Sequence, residues 1–189
     1  RLVLLRRKGH NLIYENKSIT ISSFPLKHRI ATSGFLFKEK EKLRHIKREM
    51  IDYYNIPIRE INNIKNGADF ITPKREVVPN DRLTTPANPQ RSYAYCSDTA
   101  YDESIVPHIK GVDLLYHEAT FSESEIERTA KTGHSTAKQA AEIAKLAEVK
   151  KLVIGHFSSR YKNLNPLLEE AKAVFDNTEL AEEGKIFEL

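Results

Sequence analysis

The chain has 189 residues, 40% of them hydrophobic, enough for one sizeable globular domain. Charge interrupts the apolar residues every few positions, so no stretch approaches the roughly 20 apolar residues of a membrane-spanning helix. A single cysteine, Cys96, excludes an internal disulfide and fits a reducing cytoplasm, and its place on a strand predicts a small buried apolar residue. The net charge of +4 hides an asymmetry: residues 1–94 carry 19 Lys/Arg against 9 Asp/Glu, and residues 95–189 carry 11 against 17. A basic segment beside an acidic one suggests an anionic partner gripped by the first and handled by the second, although most charge runs are merely solvated faces.

In chain order, Leu2–Leu5 and Leu12–Tyr14 read as a hairpin across Arg6-Arg7-Lys8-Gly9. Ser18–Phe24 alternates as a strand and leads through Pro25-Leu26-Lys27 to His28, with a second strand over Gly34–Phe37. From 38 to about 90 the character changes. Leu43, Ile46, Met50 and Tyr53/Tyr54 recur at helical spacing among Lys42, Arg44, Lys47 and Arg48, which predicts a basic amphipathic helix over 40–54. Arg59–Asn66 is weakly helical, and Thr72–Pro89, with four prolines, reads mostly as loop. The whole stretch is expected to be a protruding insertion without a clear core of its own. Its basic residues are candidates to contact phosphates.

Three apolar strands follow, each running into polar residues. Tyr93–Cys96 runs into Ser97-Asp98-Thr99, Val112–Tyr116 into His117-Glu118-Ala119-Thr120, and Lys151–Gly155 into His156-Phe157-Ser158-Ser159-Arg160-Tyr161. In α/β proteins working residues collect beyond the carboxyl ends of strands. Between them come a short helix over Glu103–Ile109, a charged and weakly helical Ser122–Lys131, and a clear helix over Ala137–Val149. Thr136 and Gln139 give that helix a capping box, and Ala140, Ile143, Ala144 and Ala147 its buried stripe. Asn165-Pro166 predicts a last helix through Phe175 with Asn165 as N-cap, and Ile186–Leu189 a terminal strand.

An Asp and two His in strand-end loops can hold a divalent cation such as zinc, and only a carboxylate can bridge two. Asp98 is thus the natural shared ligand, with His28 and His156 on either side. Three ligands are too few for two cations, and the chain has no His-x-His pair to supply more. Glu118 with His134 forms a second set, since a carboxylate that fixes an imidazole tautomer makes a general acid or base. Arg160, beside Ser158, has the donors to hold a phosphate, or to make an ordinary surface ion pair.

The order His28, Ser97-Asp98-Thr99, His117-Glu118-Ala119-Thr120, His134-Ser135-Thr136, His156-Phe157-Ser158-Ser159-Arg160-Tyr161 resembles the ribonuclease Z family. The resemblance implies the C-terminal two thirds of an α/β (α+β) metallo-β-lactamase αββα sandwich. Residues 1–37 and 91–189 would be core, and 38–90 an inserted basic arm that holds tRNA. It implies a zinc-dependent endonuclease, two zinc ions per site, that trims the 3′ trailer from precursor tRNA in the cytoplasm as a homodimer. His28 and His156 would be terminal ligands and Asp98 the bridge, with Glu118 and His134 protonating the leaving oxygen. Ser158, Arg160, Lys42, Arg44, Lys47 and Arg48 would contact substrate. The family's Gly-Pro pair in the arm is not found here. Its upstream His-x-His-x-Asp-His motif is also absent and the chain opens without Met, so a fragment with little activity of its own is expected. The alternatives are another hydrolase of the same fold and a non-catalytic RNA-binding module.

Overall fold

The computed structural model describes residues 11–189, so the first half of the expected Leu2–Tyr14 hairpin lies outside the described residues. The chain divides into two compact units: Lys40–Gln90 forms one, and the segments before and after it form the other.

The larger unit opens with strands β1 (Asn11–Glu15), β2 (Ile19–Leu26) and β3 (Thr32–Glu39). They form an antiparallel meander in which Phe24 faces Gly34 across the ladder. A side chain at Gly34 would meet the Phe24 ring at 2.5 Å, so this position needs glycine for space, not for backbone freedom.

The smaller unit holds β4 (His45–Ile46), α1 (Arg48–Tyr53), α2 (Ile58–Lys65), β5 (Phe70–Ile71), β6 (Val77–Val78), α3 (Asn80–Leu83) and β7 (Thr84–Thr85). Two expectations fail here. The helix predicted over 40–54 begins only at Arg48, because β4 pairs with β7 and Arg44 donates to Thr84 Oγ1 at 2.7 Å. These distant partners outweigh local helical periodicity. The stretch also has its own core, formed by Ile56, Ile64, Phe70, Val78 and Leu83, where no clear core was expected. Buried Asn80 ties that core together. Its Nδ2 donates to the carbonyls of Ile64 and Ala68, both at 2.7 Å, and its Oδ1 accepts from Thr84 Oγ1 at 2.9 Å.

The larger unit resumes with β8 (Ser92–Cys96), a 3₁₀ turn over Glu103–Ile105, α4 (Val106–Ile109) and β9 (Leu114–Glu118). Then come α5 (Ile126–Thr132), α6 (Ala137–Leu146), β10 (Leu152–Gly155), α7 (Asn165–Lys172) and β11 (Thr178–Leu180). Among the described residues the sheet has seven strands in the order β1-β2-β3-β8-β9-β10-β11, antiparallel as far as β8 and parallel from β8 onward. Parallel neighbours need long crossovers, which α4, α5–α6 and α7 supply.

The expected capping box at Thr136 and Gln139 is present, and Ala140, Ile143, Ala144 and Ala147 are fully buried in the main core with Ala94, Leu115 and Ile154. Alanines bring α6 close to the sheet. Cys96 is buried in the same core. Alternation sends Tyr93, Tyr95 and Tyr116 to the other face, where Tyr95 stacks on Tyr116 and Phe37 on Tyr93.

Two boundaries near the C-terminus differ from expectation. Asn165 is the first residue of α7 and not its cap, because Asn163 Oδ1 accepts the Asn165 amide at 3.0 Å. Residues 186–189 form no strand; the edge position beside β10 belongs to β11. The Phe187 ring instead lies near the ammonium groups of Lys151 and Lys185, 5.6 and 5.3 Å from its centre, and both ammonium groups bind Glu179.

Candidate active site

The carboxyl ends of β8, β9 and β10 bring the candidate residues together. Ladder pairing sets Cys96 beside His117 and Gly155 beside Glu118, so the loops carrying Asp98, Thr120 and His156 leave the sheet at one level. Asp98 and His156 both turn away through left-handed backbone, with φ of 57° and 59°. Such conformations cost a non-glycine residue about 1 kcal/mol or more and persist where surroundings impose them. Ligand atoms from Asp98, Glu118, His134 and His156 lie within 4.8 Å of one another.

Glu118 is fully buried and its carboxylate accepts four hydrogen bonds. Oε1 takes the Thr99 amide at 2.6 Å and His134 Nδ1 at 2.8 Å. Oε2 takes the Thr120 hydroxyl at 2.6 Å and the Ser135 amide at 3.1 Å. A carboxylate has about four lone-pair sites, so Glu118 has no capacity left for a cation. It acts as an anchor for the His134 ring, whose Nδ1–H is spent on it and whose Nε2 remains available.

The neighbouring imidazoles are set in the same sense. Thr120 gives its one hydroxyl proton to Glu118, so it accepts from His156 Nδ1 at 3.0 Å. His156 Nε2 then presents a lone pair, 3.2 Å from Asp98 Oδ1. A contact at that distance needs positive charge, either a proton on Nε2 or a bound cation, and an Asp–His pair is a chemically suitable donor set for zinc. His28 donates from Nδ1 to the Gly133 carbonyl at 2.8 Å, which likewise frees Nε2. Its ring lies 5.0 Å from that of His134, which is 5.2 Å from that of His156. Gly133 ends α5 with φ 78°, and a side chain there would press on His28 Nδ1 at 2.9 Å. His28, Asp98, Glu118, His134 and His156 are thus gathered at one place.

His117 has a different part. It is buried, donates from Nδ1 to the Glu118 carbonyl at 2.7 Å, and burial lowers its pKa, which keeps it a neutral core residue. Tyr116 packs over Gly155, and burial above all pushes its pKa up to about 12. Arg160 donates from Nε to Ser158 Oγ at 3.0 Å and from Nη1 to Glu125 Oε1 at 2.7 Å.

The other candidates lie in the smaller unit. Arg44 bonds Asp81 at 2.6 Å, Lys47 caps the carbonyls of Asp81 and Arg82, and Arg48 is exposed at the start of α1. Lys42 and Arg44 line a polar cleft of about 720 Å³ with Lys65, Asn66, Asn88 and Gln90.

Sequence reasoning gave no role to Thr99, Thr120, Gly133 or Ser135, although each sits within or beside a motif that carries a candidate. Their contribution is an amide, a hydroxyl or a carbonyl aimed at a candidate side chain. Adjacency in the motif is the only signal of it.

A model of the β-lactamase superfamily domain matches residues 82–157. A protein named ribonuclease Z from Bacteroides thetaiotaomicron is 56% identical over 94% of this chain and 56% of its own length. Another from Parabacteroides distasonis is 55% identical over 97% of the chain and 60% of its own length. The chain therefore spans little more than half the length of these relatives. Among solved structures, a metallo-β-lactamase fold protein from Bacillus subtilis aligns with TM-score 0.60 at 18% identity, over 93% of this chain and 52% of that one. Human tRNase Z, short form, aligns with TM-score 0.54 at 22% identity, over 94% of this chain and 46% of that one. Over the stretch it shares with these relatives, the chain belongs to the ribonuclease Z family and carries the metallo-β-lactamase fold.

Proposed function

We propose that the whole protein is a zinc-dependent endoribonuclease that removes the 3′ trailer from precursor tRNA and leaves a 3′-hydroxyl. The observation that carries this reading is the Glu118–His134 pair, 2.8 Å apart, beside the facing side chains of Asp98 and His156. The relatives' name agrees with it. His28 and His156 would hold one cation each, with Asp98 shared between them. A bound divalent cation supplies Lewis acidity: it lowers the pKa of water and draws charge from phosphoryl oxygens.

The chain's own residues do the rest. Glu118, fixed by two backbone amides and a threonine, keeps Nδ1–H of His134 on its Oε1. The His134 ring, protonated on both nitrogens, then gives its Nε2 proton to the leaving 3′-oxygen while Glu118 stabilises the positive ring. Arg160 and Ser158 would contact a phosphate, and the basic cleft of the 40–90 unit, with Arg48 and Lys47 nearby in sequence, would hold the tRNA body. Action as a homodimer in the cytoplasm belongs to the same proposal.

The test is cleavage of precursor tRNA carrying a labelled trailer by the full-length protein. We expect a mature 3′-hydroxyl end, loss of cleavage on chelation, and recovery with zinc. Asp98→Ala should abolish cleavage and leave tRNA binding intact. Faster turnover of a small phosphodiester than of precursor tRNA would favour another hydrolase of this fold and overturn the reading.

A further inference from the structure

Just beyond His134 the structure holds a second set of charged groups. Phe121 meets the His134 ring edge-on with centroids 6.4 Å apart, and the Arg160 guanidinium lies 5.6 Å from the centre of the Phe121 ring. Arg160 is held at two points, by Ser158 at Nε and by Glu125 at Nη1. Glu125 accepts a second guanidinium, that of Arg128 at 3.0 Å, and also the Tyr161 hydroxyl. Tyr161 in turn accepts the Ser122 amide at 3.0 Å, which fixes this cluster to the loop after β9. The Tyr161 hydrogen bond is the main reason that the Glu125 carboxylate is held below the usual range. One carboxylate shared by two guanidinium groups leaves a net positive charge. Three of the five N–H groups of Arg160 remain beyond those given to Ser158 and Glu125.

We propose that Glu125 is a positioning residue that holds Arg160 over the Phe121 ring, so that the guanidinium receives a backbone phosphate of the RNA substrate next to the one that is cleaved. The inference rests on the RNA-cleaving reading above. It adds that this end of the site is an anion subsite whose geometry depends on an acid. A rigid fork loses less freedom on binding than a free arginine, and a charge-assisted pair to phosphate is strong.

The idea has an unusual sign. If charge alone mattered, removal of Glu125 would make the site more positive and RNA would bind more tightly. If Glu125 positions Arg160, the same change weakens binding. The experiment uses the full-length, metal-loaded protein and measures Kd for precursor tRNA directly, with cleavage followed separately. We expect Glu125→Ala to raise Kd and KM about tenfold, the loss of roughly one charge-assisted hydrogen bond, with a smaller fall in kcat. In an Arg160→Ala background, Glu125→Ala should add nothing further. Arg160→Lys keeps the charge but has no planar fork to reach Ser158 and Glu125 from separate nitrogens and still face a phosphate, so it should bind nearly as weakly as Arg160→Ala. Unchanged metal content and secondary structure exclude simple misfolding. Kd that falls or stays constant in Glu125→Ala, or a wild-type Kd in Arg160→Lys, would overturn the proposal. Absence of trailer cleavage by the wild type would instead overturn the proposed function and leave the Kd comparison standing.

Discussion

Replacement of Glu118 by glutamine tests whether the buried carboxylate is an anchor. The change conserves shape and removes one acceptor. The new amide nitrogen must replace either Oε1, where it meets the Thr99 N–H and His134 Nδ1–H, or Oε2, where it meets the Ser135 N–H and the Thr120 hydroxyl. The second is the milder choice, because the Thr120 hydroxyl can turn to the His156 carbonyl 3.1 Å away. Even so, the Ser135 amide faces another donor and loses its acceptor. A buried donor without a partner costs about 1–3 kcal/mol, and the surviving bonds lose their charge assistance. Together these give a loss of about 2–4 kcal/mol, which for a chain of this size lowers Tm by roughly 5–15 °C. Urea unfolding followed by circular dichroism measures it. A loss below about 1 kcal/mol would mean that the four donors do not depend on the charge, and the anchor reasoning would be refuted.

Three further outcomes follow from packing and titration. Gly34→Ala places a methyl 2.5 Å from the Phe24 ring and should destabilise by about 1–3 kcal/mol, with partial rescue by Phe24→Leu in a urea titration. Asn80→Ala strands the Ala68 carbonyl, leaves Ile64 O with the Gly67 amide alone, and should cost about 1–3 kcal/mol, read as faster amide exchange within 56–83 and unchanged exchange in β8–β10. At Asp113 burial acts to raise the pKa, but hydrogen bonds from Lys150 and Ser92 outweigh it and hold the carboxyl below its usual range. A folded pKa below the unfolded value of about 3.9 means that the stabilisation is complete above that value and lost as pH falls through the folded one. Asp113→Asn should therefore flatten the fall in stability on acidification below about pH 4; an unchanged slope would contradict this.

Which parts were legible follows from how far each residue must reach. The Thr136–Gln139 box closes within three residues, so sequence alone finds it. That Asp98 and His156 come together was legible because polar residues after neighbouring apolar parallel strands leave the sheet at the same end. The helix predicted over 40–54 was wrong because Arg44 answers to Thr84, 40 residues away, which no local period encodes. Glu125 was missed for the same reason: its partner Arg160 lies 35 residues further on, and the segment between reads as ordinary charged surface. The core of the 40–90 unit was hidden by single apolar residues separated by prolines and charges, such as Phe70, Val78 and Leu83. The Asn80 hub is invisible in sequence because its acceptors are backbone carbonyls.

The fastening of His28 has a consequence for the order of folding. Its Nδ1 is bound to a carbonyl 105 residues later in the chain, and His156 is bound through a threonine 36 residues earlier. The His156 pair needs β9 and β10 joined across their crossover, and the His28 pair needs the antiparallel strands and the α5 segment in place as well. A cation held by His28, Asp98 and His156 would therefore act as a late clasp, absent from the barrier to folding and present in the barrier to unfolding. Chelation should then shorten the lifetime of the native state while the refolding rate stays where it was.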